Sequence, residues 1–376
     1  MEDILIKPVE NKRDLMTFIK LPFAIYRDDP YWVPPLILER KEHFSVKNPF
    51  FEHAKVQFFL AFHKNRCVGR IGAHIDYLYI EQHKEKCGFF SFLEAIDDID
   101  VFRRLLMTAE EWVKNEGMEH IMGPFNFSTN DEVGLLVKGF DSSPSFMMGH
   151  AKPYYAEYLE MLGYSKEKDL NCYILDLTEK LSPFMIRLIE KTKEKIEVKP
   201  VNKKELKGAS KMLMDMFNDS WTNNWGFIPF TENEFYYIAK QLKNVIEDDF
   251  ALVAYYNGFP SGMLINFPNL NEIIKDLNGH LFPLGFLKIL YRLKLRKYEL
   301  LRGALLGVRR RYHKNILATA LISHLLKSTQ EVFKKKGFRY LDASWVLEDN
   351  KGINDLISLG HSELFKVYRV YGKKLD

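Results

Sequence analysis

The chain has 376 residues, 47% hydrophobic and 28% charged, with 54 Lys+Arg against 50 Asp+Glu and a formal net charge of +4. That length suits two domains, each with its own core, and the composition excludes a disordered, collagen-like or small disulfide-scaffold protein. As an average, the net charge argues neither for nor against a nucleic-acid partner.

The first residues, Met1–Lys12, hold acids and no apolar run of signal-peptide length. No stretch approaches the roughly 18 apolar residues of a membrane-spanning helix. The expected location is cytoplasmic, or peripheral on the inner face of a membrane. Cys67, Cys87 and Cys172 are odd in number and form no CxxC. They predict buried free thiols, with neither a disulfide framework nor a metal site.

Residues 58–71, FFLAFHKNRCVGRI, read as strand, short polar turn and strand, the signal of a hairpin. Residues 251–264, ALVAYYNGFPSGML, repeat that pattern, with Ala61 on Ala254, Phe62 on Tyr255 and Gly69 on Gly262. EEWVKNEGMEHI (110–121) then matches QEVFKKKGFRYL (330–341), with Gly117 on Gly337. Each is the end of an amphipathic helix, a glycine suited to a left-handed stop, and a strand. MLGY (161–164) and SLGH (358–361) form a third pair. Three matches in one order predict two copies of an α/β unit, at 1–178 and 197–376, with 179–196 as a helical connector. The offsets place extra residues in the second copy at about 277–303 and in the first copy before Tyr154.

The first copy carries a dense polar stretch after Gly123-Pro124: Asn126, Ser128, Thr129, Asn130, Asp131 and Glu132. One reading is a turn network of side-chain-to-backbone hydrogen bonds. The other is a substrate-binding wall, with Asn126, Ser128 and Asn130 facing an acceptor and Asp131 or Glu132 holding its amine. Tyr154 either lines the same cleft or belongs to the core. Asp98 or Asp100 is suited to cap the helix that follows, and carboxylates there would repel a bound anion.

The second copy has a basic insertion. Between Lys288 and Lys314 there are ten Lys/Arg and one acid, Glu299. Phe286, Leu287, Ile289, Leu290, Leu293 and Leu295 interleave with Lys288, Arg292 and Lys294. Residues 284–297 therefore read as a cationic amphipathic segment for an anionic bilayer. A surface helix packed on the core, or charges that serve only a phosphate ligand, are the competing readings. No nucleic-acid recognition module is visible, so no nucleic-acid partner is expected.

VRRRYHKNILATALISHLL (308–326) resembles the acyl-CoA motif of the GNAT acyltransferases, a strand, an R/Q-x-x-G-x-G/A turn and a helix. His313 stands at the Arg/Gln position, Ile316 at the first glycine and Ala318 at the Gly/Ala position. Residues 341–361 resemble the next strand and helix, with Asn350 at the family's asparagine. LPFAIYRDDPYWVPPL, NPFFEHA, GPFNFSTNDEVGLLV and FKVYRVYGKKL extend the resemblance over nearly the whole chain. They resemble a bacterial family of tandem GNAT-like acyltransferases, some members of which are linked to N-acylation of long-chain amino-alcohols to ceramides.

The resemblance implies an α/β protein of two tandem GNAT-like domains, each a mixed central sheet flanked by helices, the first degenerate. It implies transfer from acetyl-CoA or a longer acyl-CoA to a primary amine, with a lipid amine as favoured acceptor, held between the domains. Helix N-terminal N–H groups would hold the pyrophosphate, which puts the cofactor on Val308, Arg310, Arg311, His313, Lys314, Asn315, Ile316, Leu317 and Ala318. Glu348 is the expected base, beside Asn350. Two departures stand out: Ile316 brings a Cβ where the family has glycine, and Ile357 replaces the family's tyrosine acid. These departures also fit a non-catalytic acyl-CoA or lipid sensor. Transfer to a soluble or protein amine is a third reading.

Overall fold

Both hairpins form. The computed structural model describes residues 4–243, 245–295, 299–360 and 362–375. Two units divide the chain: Met1–Leu170 with Ile274–Phe286 and Lys366–Asp376, and Asn171–Ile273 with Leu287–Phe365.

Unit 1 runs β1 (Leu5–Pro8), α1 (Lys12–Ile25), α2 (Ile37–His43), β2 (Ala54–His63), β3 (Arg66–Asp76), α3 (Tyr77–His83), β4 (Cys87–Ala95) and α4 (Ile99–Asn115). It continues through β5 (His120–Gly123), the short β6 (Phe125–Asn126) and β7 (Glu132–Val133), β8 (Leu135–Lys138), α5 (Tyr154–Met161) and the start of β9 (Ser165–Asp176). Strands β1 to β4 pair antiparallel in sequence order, and β4 then pairs parallel with β5. A parallel neighbour needs a crossover, which α4 supplies. The Asp98 side chain caps α4 by accepting from the Asp100 N–H at 2.9 Å. Val101, Phe102, Leu105, Leu106, Ala109 and Val113 bury one face of α4 at helical spacing. The chain leaves that helix through Gly117, whose φ of +83° is the left-handed stop expected there.

Unit 2 takes the end of β9, α6 (Pro183–Thr192), β10 (Ile196–Pro200), α7 (Leu206–Trp221), α8 (Glu232–Leu242), β11 (Ala251–Tyr256), β12 (Phe259–Pro268) and most of α9 (Leu270–Ile274). After α10 (Gly285–Leu295) come β13 (Leu300–Val308), α11 (Ile316–Lys335), β14 (Tyr340–Leu347), α12 (Lys351–Ser358) and β15 (Ser362–Lys374). Strands β10 to β13 pair antiparallel, and β13 pairs parallel with β14 across α11. The repeat is thus structural: both units order their hairpin strands alike and pair the last strands in parallel across the same crossover helix. Within the connector, α6 starts at the Ser182 cap, buries Met185 and Ile189, and places Thr192 Oγ1 3.0 Å from His324 Nε2 of α11.

Unit 1 also contains two segments from the second sequence half. From Lys366 onward β15 pairs antiparallel with β5, Tyr371 opposite Gly123 and Gly372 opposite Met122. It buries Tyr368, Val370 and Tyr371 completely. Arg369 holds Asp169 through two hydrogen bonds of 2.8 and 3.0 Å. Lys366 Nζ donates to the Ser142 carbonyl at 2.8 Å. The physical reason is an edge: β5 has β4 on one side, and an unpaired buried edge leaves N–H and C=O groups unmet. Residues 274–286 attach by a 3.0 Å hydrogen bond from the Ile37 N–H to the Gly279 carbonyl.

Cys87 and Cys172 are buried free thiols and Cys67 is half-buried. No helix is long and apolar enough to cross a membrane among the described residues.

Candidate functional site: a wedge between parallel strands

In unit 2, β13 and β14 pair only over Leu300–Gly303 and Tyr340–Ala343. Beyond Gly303, β13 stays with β12 as far as Val308, while β14 continues to Leu347. The two strands part, and the edge of Ala304–Val308 that faced β14 opens into a wedge. Helix α7 closes against β13 at Gly307, where a Cβ would lie 2.2 Å from the Trp221 ring. That ring is itself stacked on Phe217 at 4.6 Å.

The wide end of the wedge carries the predicted phosphate turn. Arg309 is fixed as a structural cation, donating to Asp215 at 2.6 Å and to the Pro260 carbonyl at 3.0 Å. The Arg310 N–H donates to Asp219 at 3.0 Å. The side chains of Arg310, Arg311 and Lys314 are exposed. His313 turns back, its Nε2 2.7 Å from the Val308 carbonyl oxygen. Asn315 caps α11: its side chain accepts from the Leu317 N–H at 3.0 Å and its carbonyl from the Ala318 N–H at 2.9 Å. Ile316 is 58% exposed, so its side chain is turned to solvent. The turn therefore presents three exposed cations at the positive end of a 20-residue helix, a combination suited to an anion. Two of the expected cofactor contacts, Asn315 and Leu317, are engaged with each other in this structure.

At the narrow end stands a polar group that sequence reasoning missed. Arg302 lies opposite Asp342, one position before the last pair, and its Nε donates to Ser344 Oγ at 3.2 Å. Arg302 is 5% exposed, Asp342 1% and Ser344 3%. Counting Arg302 with the basic insertion was a misreading, because its charge is buried in the strand. The available signal was an Arg and an Asp inside otherwise apolar strands, LLRGALLGV and YLDASWVL, since buried charges demand partners. Glu348 follows the end of β14 and is exposed. Asn350 caps α12, its Oδ1 accepting from the Ile353 N–H at 3.3 Å. Ile357, at the family's tyrosine position, is buried in α12.

Unit 1 has the same parting of strands, with its β4–β5 pairing confined to Cys87–Phe89 and His120–Met122. Here the chain fills the gap itself. Asn126 Oδ1 accepts from the Phe92 N–H of β4 at 2.7 Å. Phe127 packs among Phe18, Phe44, Phe50, Phe58 and Phe92. Ser128 Oγ accepts from the Asn130 N–H at 3.1 Å, and the Asp131 N–H donates to the Ser128 carbonyl at 3.1 Å. The Tyr154 hydroxyl donates to the Ala95 carbonyl at 2.8 Å. Asn126, Ser128 and Asn130 are thus hydrogen-bonded to β4 or within the 126–132 segment, and Tyr154 to the end of β4. Glu132 lies 3.4 Å from Arg40. Burial opposes the Arg40 charge, but Glu39 and Glu132 raise its pKa above the ordinary value. Sequence reasoning also passed over Glu94, which accepts from the Tyr26 and Tyr155 hydroxyls, each at 2.7 Å. Burial raises its pKa against the pull of Arg70.

Of the stretch expected at a membrane, Leu284 and α10 are described, while Arg296 and Lys297 lie outside the described residues.

No protein-family model matches the chain. Protein YghO of Escherichia coli (strain K12) is 39% identical over 372 residues, covering 99% of this chain and 95% of that protein. The bacterial ceramide synthase of Caulobacter vibrioides (strain NA1000 / CB15N) is 36% identical over 376 residues, covering 99% of this chain and 98% of that protein. A solved tandem GNAT protein from the clavulanic acid biosynthesis pathway covers 100% of this chain and 99% of its own, with a TM-score of 0.56 at 11% identity. The doubled unit, its parted parallel strands and these full-length relatives agree: the chain belongs to the family of tandem GNAT-fold N-acyltransferases that includes the bacterial ceramide synthase.

Proposed function

We propose that this chain transfers an acyl group from a long-chain acyl-CoA to the primary amine of a long-chain amino-alcohol, with the acyl-CoA held in unit 2. The observation that carries the reading is the wedge whose wide end is the cationic turn at the start of α11. A pyrophosphate suits Arg310, Arg311 and Lys314 at that helix N-terminus. A chain laid in the wedge runs along the freed edge of Ala304–Val308, whose backbone N–H groups on that side favour negative charge on a thioester oxygen. Glu348 takes a proton from the ammonium, and the amine nitrogen attacks the carbonyl carbon. The C–N bond forms, the nitrogen gives its second proton to water or to the departing sulfur, and the C–S bond breaks without needing the missing tyrosine. The long-chain acceptor is supported by the 36% identity to the bacterial ceramide synthase.

The test follows free thiol while the protein is offered palmitoyl-CoA or acetyl-CoA with sphinganine or a water-soluble amine. The expected result is turnover with palmitoyl-CoA and sphinganine, and a roughly 100-fold lower kcat in Glu348→Gln. CoA binding without thiol release for any pair would leave a sensor. Turnover only with acetyl-CoA and the soluble amine would refute the lipid acceptor.

A further inference from the structure

Single exposed hydrophobics are ordinary on a protein surface, whereas a contiguous row is not. Twenty large hydrophobics are exposed among the described residues, and seven fall within Phe282–Leu295. Leu284 (63%), Leu287 (58%), Tyr291 (59%) and Leu295 (48%) recur at helical spacing along one side of α10. Phe282, Phe286 and Leu290 border them. The other side faces the protein: Gly285 is buried, Ile289 and Leu293 are half-buried, and Arg292 donates to the Ile273 carbonyl. Folding therefore uses the Ile289–Leu293 side, and the outward row is surplus to it.

The start of the helix is firmly placed. A Cβ at Gly285 would lie 2.4 Å from the His280 carbonyl oxygen. Gly279, at φ +77°, accepts from the Ile37 N–H of unit 1. Charge then selects the partner. Leu284–Leu295 contains Lys288, Arg292 and Lys294 and no acid, and Lys288 and Lys294 are exposed beside the apolar row.

From this juxtaposition we infer that α10 docks the protein onto an anionic lipid bilayer. The row Leu284, Leu287, Tyr291 and Leu295 enters the acyl-chain boundary, and Lys288 and Lys294 reach lipid phosphates. A second copy of the chain is a poorer occupant, since pairing two such faces would set like charges against each other.

Flotation of the full chain with vesicles tests this without reference to catalysis. Binding is expected to vesicles of phosphatidylcholine mixed with phosphatidylglycerol, weakening with salt, and to be much weaker with phosphatidylcholine alone. The double variant Leu287→Glu, Leu290→Glu should lower the bound fraction at least roughly tenfold. Lys288→Gln with Lys294→Gln should remove most of the preference for the anionic vesicles. An unchanged thermal melt confirms that these variants fold. The inference is overturned if the wild type floats with neither vesicle, or if the leucine variant floats as well as the wild type. A loss of mass by light scattering in that variant would assign the face to a second copy instead.

Discussion

Asp29 sits against Lys152 and His150, at 2.8 Å from Nζ and 3.1 Å from Nε2, and accepts from the Tyr31 N–H at 3.0 Å. Burial opposes its charge, but these donors outweigh it and hold the carboxyl at about 2. The folded pKa lies below the ordinary value, so the stabilisation is complete above that value and is lost as pH falls through it toward 2. Thermal melts should drop in that window, by on the order of 1 kcal/mol after solvent screening. Asp29→Asn should flatten that part of the profile, and an identical profile in the variant would count against the assignment. Local chemistry of this scale was legible where its partners are sequence neighbours. Asp98 as a cap and Gly117 and Gly337 as helix stops could be read directly, since caps act within a turn. The partners of Glu94 and Arg302 could not, because Tyr26, Tyr155 and Ser344 reach them only through the fold.

Strand β13 shows what an element adds. Its first residues bind β14, its last residues leave it, and Gly307 lets Trp221 of α7 lie on the freed part. Gly307→Ala would drive a Cβ into that ring, so a stability loss of about 1–3 kcal/mol is expected. The displaced strand should also weaken CoA binding, measured by calorimetry. Unchanged stability and affinity would mean that α7 does not define this face of the wedge. The strand–turn–helix run at 300–335 was legible from hydrophobic period and the resemblance together. The self-filled gap of unit 1 was not. Whether Asn126 faces a substrate or the Phe92 N–H depends on where β4 runs beside it, and no spacing in the sequence fixes that. The polar stretch stood open between a turn network and a binding wall, and its hydrogen bonds to Phe92 and within 128–131 fit the first.

The doubling of the α/β unit could be read from three short matches, because hairpin turns and helix-stop glycines are set by backbone geometry. Exchange of the closing strand could not, because one α/β unit looks complete without it. A chain ending at Phe365 would remove Tyr368, Val370 and Tyr371 from the core of unit 1 and free an edge of β5. Hydrogen exchange in β4 and β5 should rise sharply in that truncation, while α11 stays protected. Native protection in β5 would show that another segment serves there.

The strand that completes unit 1 also follows all of unit 2 in chain order. Unit 2 has all of its residues, through Phe365, before Lys366–Lys374 emerges. Folding during synthesis ordinarily runs from the N-terminus; here the unit that begins first has to finish last. Until Lys366–Lys374 is made, the nascent chain holds an open β-sheet edge, so a chain truncated after Phe365 should aggregate.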